Sequence, residues 1–118
     1  LIYEESKEKY NRLEKILREI NKKEDNEMHI YRVLSIEEAI GYMEEYIDAI
    51  FVSLEDRRGN GLLFAFGMRK HDSQVNIIAM AENPVYVMEC WEIHVSGYID
   101  GEVTKEKVLD ELEHLRVL

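Results

Sequence analysis

Short apolar runs alternate with amphipathic stripes from one end of the chain to the other. Leu1 to Tyr3 reads as the stub of a strand closed by Glu4 and Glu5. From Ser6 to Asn21, Tyr10, Leu13, Ile16, Leu17 and Ile20 fall on one stripe, which predicts a helix. A charged loop from Lys22 to Glu27 follows, then a strand from Met28 to Val33. Ser35 with Glu38 three residues on makes a capping box. It opens a helix with an apolar face of Ile36, Ala39, Ile40 and Met43. Further strands are expected at Ile50–Leu54, Val75–Ala81 and Val95–Ile99. Helices are expected from Gly61 to Lys70, and from Pro84, suited to a first helical position, to Glu92. Thr104 caps a last helix that turns Val108, Leu109, Leu112 and Leu115 inward.

Strands alternating with helices imply a parallel sheet covered on both faces. Five such units in 118 residues predict an α/β, flavodoxin-like, doubly wound sheet of order 2-1-3-4-5 in three α/β/α layers. The length suits a single domain over 1–118. The opening run is short for a central strand, so the chain reads as a fragment with a truncated first strand.

Composition narrows the function. The formal charge of −10 and a pI near 4.9 make the domain a poor binder of phosphate backbones. One cysteine, Cys90, excludes an internal disulfide and fits a reducing compartment. No apolar run reaches membrane-span length, and a cytoplasmic, non-membrane protein is expected. The loop after the first strand, Glu4-Glu5-Ser6-Lys7-Glu8, would repel the phosphate of a flavin or nucleotide. No cofactor is expected. His29, His71, His94 and His114 are scattered without metal-ligand spacing.

The most informative residue is Ser53. It ends the apolar run Asp48-Ala49-Ile50-Phe51-Val52-Ser53-Leu54-Glu55 before a turn closed by Asn60-Gly61. In an open α/β sheet, chemistry gathers at the carboxyl ends of strands. This segment, with Leu1–Glu5, Ile77–Ala81, Tyr86–Glu92 and Ser96–Val103, resembles the receiver domains of bacterial response regulators, closest to those of LytTR-type regulators. The resemblance spans essentially the whole chain and implies a CheY-like fold. It also implies positions for the family's working residues. Glu4 and Glu5 stand at the acidic pair, each one methylene longer than the usual aspartate. Ser53 stands at the phosphoacceptor aspartate, Ala81 at the hydroxyl residue, Gly101 at the lysine and Glu102 at the proline that follows it. Tyr98 stands at the aromatic switch position.

Acyl-phosphate formation needs a carboxylate nucleophile, a magnesium ion and a fixed cation. With Ser53, Ala81 and Gly101 at three working positions, the resemblance implies a degenerate receiver that is not an enzyme. Its expected role is phosphorylation-independent regulation in two-component-type signalling. It would act through a protein partner or a homodimer, using the fourth helix, fifth strand and fifth helix, with Tyr98, Trp91, Met88 and Val85 on that face. A Met/Trp stripe on a helix also reads as core. A DNA-binding output domain after Leu118 is an expectation from the family. Two rival readings stay open. One is a phosphoacceptor using Asp56 or Glu55. The other is a weak magnesium or other divalent-cation site at Glu4, Glu5 and the backbone carbonyl of Glu55, on an acidic rim that includes Asp100 and Glu102.

Overall fold

The computed structural model describes residues 1–22, 28–55 and 58–115. The charged loop from residue 23 to 27, Asp56, Arg57 and the chain end at Leu118 lie outside them.

Five strands form one parallel sheet of order β2-β1-β3-β4-β5. The strands are β1 (Ile2–Tyr3), β2 (Arg32–Val33), β3 (Ile50–Ser53), β4 (Ile77–Ala81) and β5 (Gly97–Asp100). They alternate with α1 (Lys7–Asn21), α2 (Ile36–Tyr42), α3 (Asn60–His71), α4 (Val87–Ile93) and α5 (Lys105–Glu113). A 3-10 turn, Pro84–Tyr86, precedes α4. The predicted flavodoxin-like order is the observed one.

Strand alternation builds two cores. Ile50 and Val52 of β3, with Ile77, Ala79 and Ala81 of β4, pack beneath Ala39, Phe64, Met68, Cys90 and Ile93. Phe51, Ile78, Met80 and Ile99 point the other way, onto Leu13, Leu17, Ile20 and Val108 of α1 and α5. Each such fully buried Ile or Val contributes roughly 1.5–3 kcal/mol relative to exposure, which is what holds the layers together.

The two predicted caps, Ser35 and Thr104, form as read, and Ser6 adds a third at the start of α1. Ser6, Ser35 and Thr104 accept from the backbone N–H groups of Lys9, Glu38 and Lys107. Glu38 completes its capping box one residue early, on the N–H of Leu34 at 2.9 Å.

The strand boundaries move for physical reasons. β5 starts at Gly97, not Val95, because the Val95 N–H is spent on the Cys90 carbonyl where α4 closes. β4 starts at Ile77, because the Val75 N–H bonds to the Asp72 side chain. β2 keeps only Arg32 and Val33 of the expected run, since β1 offers partners at Ile2 and Tyr3 alone. Leu109 is 38 % exposed rather than inward. The inward stripe is Val108, Leu112 and Leu115 at i, i+4 and i+7, one helical step away.

Candidate functional site

The carboxyl ends of the strands bring Glu4, Ser53, Ala81 and Asp100 to one edge of the sheet. Glu4, Ser53 and Ala81 are buried there. With Gly101 they line a small cavity of about 70 Å³. α3 begins immediately beside it. A Cβ built on Gly61 would lie 1.9 Å from the Ser53 carbonyl oxygen, so glycine is what lets this helix close on β3.

The carboxylates of Glu4, Glu5 and Glu55 are each held by a local partner. Glu4 accepts from the Ser6 N–H at 3.0 Å, folding back on its own loop. Glu5 turns toward α3 and accepts from the Tyr3 hydroxyl and the Asn60 amide. Glu55 accepts from the Asn83 N–H at 2.7 Å, bracing the loop after β3 against the loop after β4. Among the described residues no group of three or more His, Cys, Asp or Glu is arranged to hold a metal ion.

Cations do reach this edge, from positions that the alignment to receiver domains did not single out. Lys9 and Arg12 of α1 line the cavity. Arg12 pairs with Glu102, and this neighbour holds the Glu102 carboxyl below the usual glutamate range. Lys107 of α5 donates to the carbonyls of Asp100 at 2.6 Å and Glu102 at 3.1 Å. The rim is therefore less purely acidic than Glu4, Glu5, Asp100 and Glu102 suggest. The missed signal was topological: the first turns of α1 and α5 lie at the carboxyl edge, so their basic residues belong to the site. Gly101 has a φ of +76°, in the left-handed region where a side chain is strained.

Tyr98 sits opposite Ala79 in the ladder. Its ring is half-buried, and its hydroxyl is enclosed without a hydrogen-bond partner among the described residues. Burial pushes its pKa up. At the end of the neighbouring strand Ala81 carries no hydroxyl. On α4, Trp91 and Met88 are 77 % and 71 % exposed, so the Met/Trp stripe is surface rather than core. Val85 is exposed beside them. Cys90, on the opposite face of α4, is buried, and burial raises its thiol pKa.

Solved structures share this arrangement. The response regulatory domain of mrkE from Klebsiella pneumoniae superposes with a TM-score of 0.74 at 16% identity, over 97% of this chain and 91% of that one. The chemotaxis protein CheY4 of Vibrio cholerae gives 0.77 at 13% identity, over 98% and 95%. The receiver domain of the sensor histidine kinase PA1611 from Pseudomonas aeruginosa gives 0.76 at 17% identity, over 97% and 93%. The fold is that of the CheY-like receiver domains. That last structure carries a magnesium ion in its active-site cleft. No protein-family model matches the chain, and no curated protein matches it in sequence. Among the described residues no helix is long and apolar enough to cross a membrane.

Proposed function

We propose that this chain is a degenerate receiver domain, a regulatory interaction module of the two-component type that performs no phosphoryl transfer. The observation that carries the reading is the cavity at the carboxyl edge. Its wall has Ser53 at the end of β3, Ala81 at the end of β4 and Gly101 after β5. A buried hydroxyl with an ordinary, high pKa is a poor nucleophile without a base beside it. The surroundings do not fit a magnesium ion. Among the described residues Glu4 is the only buried carboxylate there, and the Glu5 carboxylate is held by Tyr3 and Asn60. Glu55 cannot take the acceptor role while it braces the loop after β4. Asp56 lies outside the described residues.

The fold keeps what a binding module needs. Its sheet is buried on both faces, and α4 presents an exposed apolar surface. By resemblance the module serves a LytTR-type transcription regulator in the bacterial cytoplasm, with DNA contacted elsewhere in that protein. Incubation with acetyl phosphate and magnesium, followed by intact-mass spectrometry, tests the reading. The expected result is an unmodified chain. A labile acyl-phosphate adduct on a carboxylate, or a stable phosphate ester on Ser53, would overturn it.

A further inference from the structure

We propose that the groove between α4, β5 and the loop after α3 is a small-molecule site, and that its ligand is an aromatic carboxylic acid carrying a carbonyl acceptor. This goes beyond the reading of the chain as an interaction module and rests on different atoms from the carboxyl edge.

The groove has a volume of about 1030 Å³. Its wall is largely apolar where Val87, Cys90 and Trp91 of α4 meet Val95 and Tyr98. Trp91 is 77 % exposed, so its indole offers a face on which a flat ring can stack. Concave apolar walls with a few fixed polar groups are the general form of small-ligand sites.

Two donors on this wall are unspent. The Tyr98 hydroxyl is shielded from solvent and has no hydrogen-bond partner among the described residues. Leaving a buried hydroxyl unpaired costs roughly 1–3 kcal/mol, which an acceptor brought by a ligand would recover. Burial raises the Tyr98 pKa, so the group stays protonated and able to donate at neutral pH.

The second donor is Arg69, half-buried at the same groove. Its Nε donates to the Ile93 carbonyl, Nη1 to those of Asp72 and Val75, and Nη2 to that of His94. A guanidinium carries five N–H groups, so one on Nη2 remains among the described residues. All four partners are neutral carbonyls, and the guanidinium keeps its charge. A carboxylate can take both the charge and the remaining N–H.

Glu45 and Asp72 also border the groove and limit how much negative charge it accepts. Asp72 Oδ1 is committed to the N–H groups of Gln74 and Val75, and Glu45 is exposed to solvent beside Tyr46. A single anionic head fits this balance better than a polyanion, which the acidic chain would repel. Between the two donors lies the apolar wall, so the body of the ligand is an aromatic ring system.

The probe is 4-benzoylbenzoate, which carries two rings, a ketone acceptor and one carboxylate. Amide and indole NMR spectra of the full chain are recorded as it is added. Saturable shifts are expected at the Trp91 indole N–H and at the amides of Val95 and Tyr98, with a Kd below about 1 mM. 4-Benzoylbenzamide, without the charge, should bind about tenfold more weakly. 4-Benzylbenzoate, without the ketone, should bind about fivefold more weakly. In Tyr98→Phe the ring stays and the hydroxyl goes, so the preference for the ketone should vanish. Trp91→Ala, at an exposed position, should weaken binding by at least about fivefold. Arg69 is left unchanged because its bonds hold the fold. Circular dichroism checks that both variants remain folded.

The proposal is overturned if no saturable shift appears, or if the shifts lie at the carboxyl edge instead. It is equally overturned if the amide binds as well as the acid, or if the ketone preference survives Tyr98→Phe. A chain that takes up phosphoryl groups would sink the functional reading but leave this titration unchanged, so the two failures are separable.

Discussion

At the scale of single residues, the carboxyl edge depends on close backbone approach as much as on polar chemistry. Gly61→Ala would place a methyl group 1.9 Å from the Ser53 carbonyl, a backbone atom that cannot rotate away. We expect a loss of about 2–3 kcal/mol in urea denaturation, with the slope unchanged. Ser53→Asp would add a second carboxylate to a cavity that already holds buried Glu4. A thermal midpoint lower than wild type at neutral pH, recovering as the solution is acidified, is the expected outcome, because burial and like charge both favour the neutral acid. A midpoint unchanged at neutral pH would mean that water or a cation already shields this site. The place of Ser53 at a strand end was legible in the sequence from the apolar run before it, whereas Ala81 and Gly101 were singled out only by the resemblance to receiver domains. Arg12 and Lys107 were not legible, since their roles depend on helix phase and on loops that bend toward the cavity.

At the scale of elements, the helices were read well because a 3.6-residue stripe and a polar cap are local signals. The strand limits were read less well. The Val95 N–H and the Val75 N–H are claimed by neighbouring turns, and nothing in an apolar run announces that competition. The α4 stripe illustrates the same limit. Met88 and Trp91 could be assigned to a helix from the sequence, but a helix at the margin of the sheet buries only Cys90 and Ile93. Arg69 ties three elements together by donating to the carbonyls of Ile93, Val75, Asp72 and His94. Arg69→Ala should cost about 2–4 kcal/mol and raise amide exchange at the start of β5.

The link between Glu111 and the edge of β5 has its own signature. Burial raises the pKa of Glu111, whose carboxylate lies against Gly97 of β5, whereas the hydrogen bond from Arg12 lowers that of Glu102. The raised pKa means that the folded state binds the extra proton, so this contribution to stability diminishes as pH rises through the glutamate range. Glu102 has the opposite sign, and its pairing with Arg12 is lost as pH falls. Carbon-detected NMR titration should find Glu111 protonating at higher pH than Glu102. Coincident titrations would remove the electrostatic account of this edge.

At the scale of the whole molecule, the sheet order and the two-sided core hold the fold without drawing on polar chemistry at its carboxyl edge. The cores use Ile, Val, Leu, Phe and Met packed by alternation, and none of them depends on Ser53, Ala81 or Gly101 carrying a charge. The surface combines a net charge of −10 with an exposed apolar ridge on α4. Fold alone does not decide whether the edge still reads phosphate. The most direct measurement is a set of amide NMR spectra recorded as magnesium and then beryllofluoride, a mimic of the bound phosphoryl group, are added. The account predicts no saturable shifts at Ser53, Ala81 or Tyr98 with either addition. Saturable shifts at those amides on adding beryllofluoride would show a pocket that still binds a phosphoryl group, and would contradict it.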